Sequence, residues 1–108
     1  MINKLVVCLL LVASTVSFAQ KSKQEIRIKT SAQCEMCKKK IEKAVKAVDG
    51  VGKATLNLSD KVITVKFNSS KTNADAIRKA INAVGYDADD TKASMEAYDK
   101  LPGCCKKN

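Results

Sequence analysis

The sequence predicts an α+β fold, one antiparallel sheet carrying two helices on the same face, followed by a short extension that contains two cysteines. Three observations predict it. Ile26 and Ile28 alternate with Arg27 and Lys29, as a half-buried strand requires. Ala54, Leu56 and Leu58 alternate with polar residues, turn at Ser59-Asp60, and are followed by Ile63, Val65 and Phe67 in the same alternation, which reads as a hairpin. Two further stretches place apolar residues at helical spacing: Cys37, Ile41, Val45 and Val48 in the first, Ile77, Ala80, Ile81 and Val84 in the second.

The elements follow in order. A strand over Glu25–Lys29 opens the domain, after a polar leader at 20–24 that lacks periodicity. The first helix runs from Cys37 to Val48, with Lys38, Lys39, Lys40, Lys43 and Lys46 on its remaining faces, and Asp49-Gly50 stops it. Thr72-Asn73-Ala74-Asp75 has the residue types of a helix N-terminus, and Gly85 ends the helix it starts. Tyr86–Asp90 leaves room for a final strand, so the order is β-α-β-β-α-β, the split arrangement of ferredoxin-like folds. Thr91–Leu101 is expected to add a third helix, with Ala93, Ala97 and Leu101 inward, before Pro102-Gly103 and Cys104-Cys105.

Composition narrows the chemistry. The 108 residues hold 20 Lys and Arg against 11 Asp and Glu, five Cys and no His, a size that fits one domain. Without His, neither a Ser/His/Asp nor a Cys/His catalytic set can form, and a transition-metal site must use sulfur or carboxylate ligands. At the amino end, Lys4 precedes an apolar run from Leu5 to Ala13, and Ser17-Phe18-Ala19 offers small residues for cleavage. Residues 1–19 are therefore read as a secretory signal peptide, because the run is shorter than the ~20 residues a membrane-spanning helix needs. The processed chain is expected to be exported, without stable insertion in a membrane.

Cys8 would leave with the signal, so four thiols remain: Cys34, Cys37, Cys104 and Cys105. Cys34-Glu35-Met36-Cys37 lies on the connection between the first strand and the first helix, where two intervening residues let both sulfurs reach one ion. A helix start supplies free N–H groups and the positive end of the dipole, both of which favour a thiolate. Thiolates bind soft metals. The same four residues also fit a simple disulfide or a small core cysteine. Met36 is expected to face solvent, and neither thiol is expected to be needed in the core.

With Cys34-Glu35-Met36-Cys37, Asp49-Gly50-Val51 and Ile81-Asn82-Ala83-Val84-Gly85-Tyr86 in that order, residues 25–90 resemble the heavy-metal-associated domain family. This family includes copper chaperones, the amino-terminal modules of metal-transporting ATPases and the periplasmic mercury-binding protein. The resemblance implies a ferredoxin-like fold in which Cys34 and Cys37 hold one Cu(I), Hg(II) or related ion in a near-linear, exposed site. It also implies transfer of that ion by thiolate exchange to a metal-transporting membrane protein or another metal-binding domain, and a place for Tyr86 beside the metal loop. The chain is read as a carrier and not an enzyme, acting in the bacterial periplasm as a monomer or a metal-bridged dimer. It departs from the family at Ala32, where a larger Met is usual.

Residues 91–108 fall outside the resemblance. Cys104 and Cys105 could fold back on Cys34 and Cys37 to give three or four sulfurs, suited to Zn(II), Cd(II) or a Cu(I) cluster; they equally fit a redox pair or a tail oxidised by chance. Nucleic-acid binding is disfavoured despite the net charge of +9, because Phe67, Tyr86 and Tyr98 are the aromatic residues after the signal and Lys61–Phe67 lacks the pattern of an RNA-reading strand. The alternative activity is thiol–disulfide exchange at Cys34 and Cys37.

Overall fold

The computed structural model describes residues 22–107. The signal-peptide reading of residues 1–19 lies outside them. Three strands and two long helices alternate as β1 (Lys23–Lys29), α1 (Glu35–Lys46), β2 (Val51–Asn57), β3 (Val62–Asn68) and α2 (Ala74–Ala83). A short α3 (Met95–Asp99) and a single 3-10 turn (Gly103–Cys105) follow.

The sheet order is β1-β3-β2 and all pairing is antiparallel. Register puts Ile28, Ile63 and Leu56 in one row and Ile26, Val65 and Ala54 in the next, so the apolar residues of all three strands share a face. Against that face α1 buries Cys37, Ile41 and Val45, and α2 buries Ile77 and Ile81. Each Ile or Val removed from water in this way is worth about 1.5–3 kcal/mol relative to exposure. The other face of the sheet carries Arg27, Lys29, Lys53 and Lys66, all exposed.

Pairing begins earlier than alternation indicates. Lys23 pairs with Asn68 and Gln24 with Phe67, so β1 takes in two residues that hydrophobic patterning leaves to the leader. The expected strand over Tyr86–Asp90 contracts to two isolated antiparallel bridges at Ala88, one to Thr30 and one to Thr91. The reason lies in Asp89: its φ of 52° turns the backbone out of the extended region. Its amide donates to the Lys29 carbonyl at 2.8 Å and its side chain accepts from the Lys29 N–H at 2.9 Å, so a loop residue does what a strand would have done. The third helix is shorter than Thr91–Leu101, but Leu101 is buried as expected.

Candidate metal site

The site grows out of the connection from β1 to α1. Cys34 is the N-cap of α1, in extended backbone (φ −152°, ψ 175°), and its side chain forms no cap hydrogen bond as a neutral thiol. The Cys37 backbone N–H nevertheless exerts the largest pull on its ionisation. With help from the Cys37 thiol, and against the effect of burial, it lowers Cys34 from 9.0 to about 7. A helix start with its N–H groups left to a sulfur is a thiolate site.

Cys37 is fully buried in the core, contrary to the expectation that neither thiol fills it. A position three residues along a helix from a half-exposed Cys34 turns the side chain inward beside Ile41's face. The two sulfurs are 3.2 Å apart. Met36, between them, is 54% exposed, as its place on the outer side of the helix requires.

The carboxyl-terminal extension returns to the same place. Cys34 Sγ is 3.6 Å from Cys105 Sγ and 3.7 Å from Cys104 Sγ, and the last two are 3.9 Å apart. Cys105 is buried and Cys104 exposed. Burial, followed by the neighbouring Cys37 thiol, pushes Cys105 up to about 12, so the two cysteines facing each other differ widely in acidity. Tyr86 is fully buried beneath them. Its hydroxyl has no hydrogen-bond partner among the described residues, yet it faces Cys105 and Cys37, to whose thiolates it can donate. Burial above all holds this phenol well above its usual range.

What fastens the extension escaped sequence reasoning. Asp87, within the stretch expected to form the final strand, donates its N–H to Ser31 Oγ on the loop before α1 at 2.9 Å. Its carboxylate accepts from the Ala93 N–H at 2.9 Å and from Lys107 Nζ at 2.7 Å. Burial alone would raise Asp87, but Lys107 and the Ala93 N–H together bring it below the ordinary carboxylate value. The Lys107 N–H donates to Tyr98 Oη at 2.9 Å, and Leu101 reaches the core. No periodicity or motif links positions 87, 98 and 107, so nothing in the sequence signalled the arrangement. A cleft of about 490 Å³ beside Lys23, Gly52 and Phe67 lies at the other end of the sheet and is lined by no thiol.

A ferredoxin-like sheet with a paired thiol at the start of its first helix defines a class of small metal-binding domain, and the sequence model of the heavy-metal-associated domain matches residues 30–87. More than half the chain is covered, and the chain belongs to that family.

Among its relatives is a copper-exporting P-type ATPase of Staphylococcus saprophyticus, 41% identical over 63 residues, which are 58% of this chain and 8% of that protein. A probable copper-exporting P-type ATPase of Archaeoglobus fulgidus is 31% identical over 68 residues, again 8% of its length. The chain thus spans only a small part of these curated relatives. Among solved structures, the CopZ metallochaperone is similar with a TM-score of 0.58 and 29% identity, over 60% of this chain and 98% of that one. Oxidised MerP from Ralstonia metallidurans gives 0.61 and 25%, over 62% and 94%. The residues matched by the family model stop at 87, before the extension that brings Cys104 and Cys105.

Proposed function

We propose that the chain binds one soft metal ion through Cys34 and Cys37, with Cu(I) the first candidate cargo and Hg(II) the second, and passes it by thiolate exchange or sequesters it. One observation carries this reading: Cys34 sits at a helix start, half-exposed and lowered to about 7, with a second sulfur 3.2 Å away. A group that is about half thiolate at neutral pH releases less than a full proton on average when it takes a soft ion.

Relatives that are copper-exporting ATPases, and likeness to a metallochaperone, support copper as the cargo and a metal-transporting membrane protein or another metal-binding domain as the partner. The exposed lysines of α1 would suit an acidic docking surface beside the loop. Export to the bacterial periplasm belongs to the proposal and rests on the pattern of residues 1–19. Among the described residues no helix is long and apolar enough to cross a membrane.

Native mass spectrometry of the reduced protein, titrated anaerobically with Cu(I) against a chelator, tests the reading. One bound ion per chain is expected, with Cys34→Ser and Cys37→Ser each losing it. Unchanged stoichiometry in either variant would reject the assignment. The 3.2 Å sulfur pair also suits a disulfide, which favours thiol–disulfide exchange as a second reading. Catalysed insulin reduction by a protein that takes up no Cu(I) would select it.

A further inference from the structure

The sulfur positions separate two kinds of site. A metal–sulfur bond of about 2.3 Å puts two sulfurs about 4.6 Å apart in a linear pair, about 4.0 Å apart in a trigonal plane and about 3.8 Å apart in a tetrahedron. The triangle of Cys34, Cys104 and Cys105 has edges of 3.6, 3.7 and 3.9 Å. Those edges fit three- or four-fold coordination. The tail that supplies two of the corners is held by the buried Leu101, by the Lys107–Asp87 pair and by the Lys107–Tyr98 bond, while Asp87 ties the same segment to Ser31 of the loop.

A second observation points to anionic sulfur at this place. Among the described residues the buried Tyr86 hydroxyl has no hydrogen-bond acceptor, and a buried donor left unsatisfied is destabilising. Metal-bound thiolates at Cys37 and Cys105 would give it acceptors.

We propose that Cys104 and Cys105 close over the Cys34–Cys37 pair to make a single site of at least three thiolates, so that the chain's own tail takes the coordination positions a recipient's cysteines would otherwise use. This rests on the reading of the chain as a soft-metal carrier. Each ligating thiol surrenders its proton to solvent as its sulfur takes the ion, and no oxidation state changes. The tail then acts as a latch. Cargo is retained until a recipient displaces two tethered sulfurs, and an ion content with two ligands loses its advantage over one that accepts three.

The test compares the full chain with a variant carrying both Cys104→Ser and Cys105→Ser, each loaded with one equivalent of Cu(I) without oxygen. X-ray absorption should count three sulfurs around copper in the first and two in the second, and competition with a Cu(I) chelator should show affinity falling about 10²-fold, the scale of a lost tethered ligand. Two sulfurs in both proteins, with equal affinity, would overturn the latch and leave the Cys34/Cys37 reading standing. No Cu(I) uptake by either would overturn both. Should the variant fold poorly, the unaltered chain still decides: copper must protect the exposed Cys104 from maleimide, and free reaction of Cys104 in the one-copper protein would reject the proposal.

Discussion

Both helices that cover the sheet begin in the same backbone geometry and use it for different ends. Cys34 and Asn73 cap α1 and α2 with φ of −152° and −148° and ψ of 175° and 173°. Asn73 spends its side chain on structure: Oδ1 accepts the Ala76 N–H at 2.9 Å, and one orphan donor of the first turn is satisfied. Cys34 makes no such cap hydrogen bond as a neutral thiol, so the Cys37 N–H is left to favour its thiolate and the first turn becomes an electrostatic resource. A small domain can thus obtain a metal-binding start for one helix by withholding a cap it uses on the other.

Transplanting the cap breaks the comparison most forcefully. Cys34→Asn should lower Cu(I) affinity by about 10²-fold or more, since removing even a group that merely supports a ligand costs 10–100-fold. The same change should stabilise the metal-free protein by about 0.5–1 kcal/mol in urea denaturation, because Asn is a strong cap. A variant that binds copper as before, or is less stable, contradicts the account of α1.

Next in size is an effect at the opposite end of α2. Gly85 has a φ of 104°, and a Cβ there would stand 3.0 Å from the Ala97 carbonyl oxygen and 3.1 Å from Leu101 Cδ1. Gly85→Ala should cost about 1–3 kcal/mol and loosen the extension, which mass mapping would detect as faster alkylation of Cys105. Equal protection of Cys105 in both proteins would show that the docked tail does not depend on this contact.

Asn73→Ala supplies the matching control. It should cost about 1 kcal/mol while Cu(I) affinity stays the same. Any parallel loss of affinity would mean that the two helix starts are not separable.

The smallest signal is acidity. The fold lowers Cys34 to about 7, so its thiolate persists above that pH and disappears as pH falls through it. Iodoacetamide alkylation of Cys34 in the reduced, metal-free protein should therefore rise with a midpoint near 7, against 9.0 for an unperturbed thiol. The rate gain at neutral pH should be only several-fold, because a more acidic thiol is a weaker nucleophile. A midpoint near 9 would remove the helix start from the explanation.

Most of the fold could be read because its period is written in side chains that water rejects. Ile26, Ile28, Ile63, Val65 and Phe67 alternate, and Ile41, Val45, Ile77 and Ile81 recur at helical spacing, so strand and helix identities followed. The final strand expected over Tyr86–Asp90 is reduced to isolated bridges at Ala88, because the backbone turns left-handed at Asp89, which side-chain pattern does not encode.

At the site, the Cys-x-x-Cys spacing named Cys34 and Cys37 but not the burial of Cys37, since a cysteine is small enough for either surface or core. The arrival of Cys104 and Cys105 depended on contacts of Asp87, Lys107 and Leu101, all long-range and without period. Local order was legible; long-range fastening was not.

Among the described residues no fourth strand joins the sheet, so β1 is one outer strand and β2, on the far side of β3, is the other. On β2 the Leu56 N–H is taken by Glu42 of α1 at 2.8 Å, and the pairing is irregular at Val51/Lys53. On β1 the corresponding safeguard falls to Lys23, Glu25, Arg27 and Lys29, exposed ionic residues that discourage a stray chain from annealing there. Neutralising that row would turn a rim that now repels into a template for aggregation, whatever happened to the sulfurs.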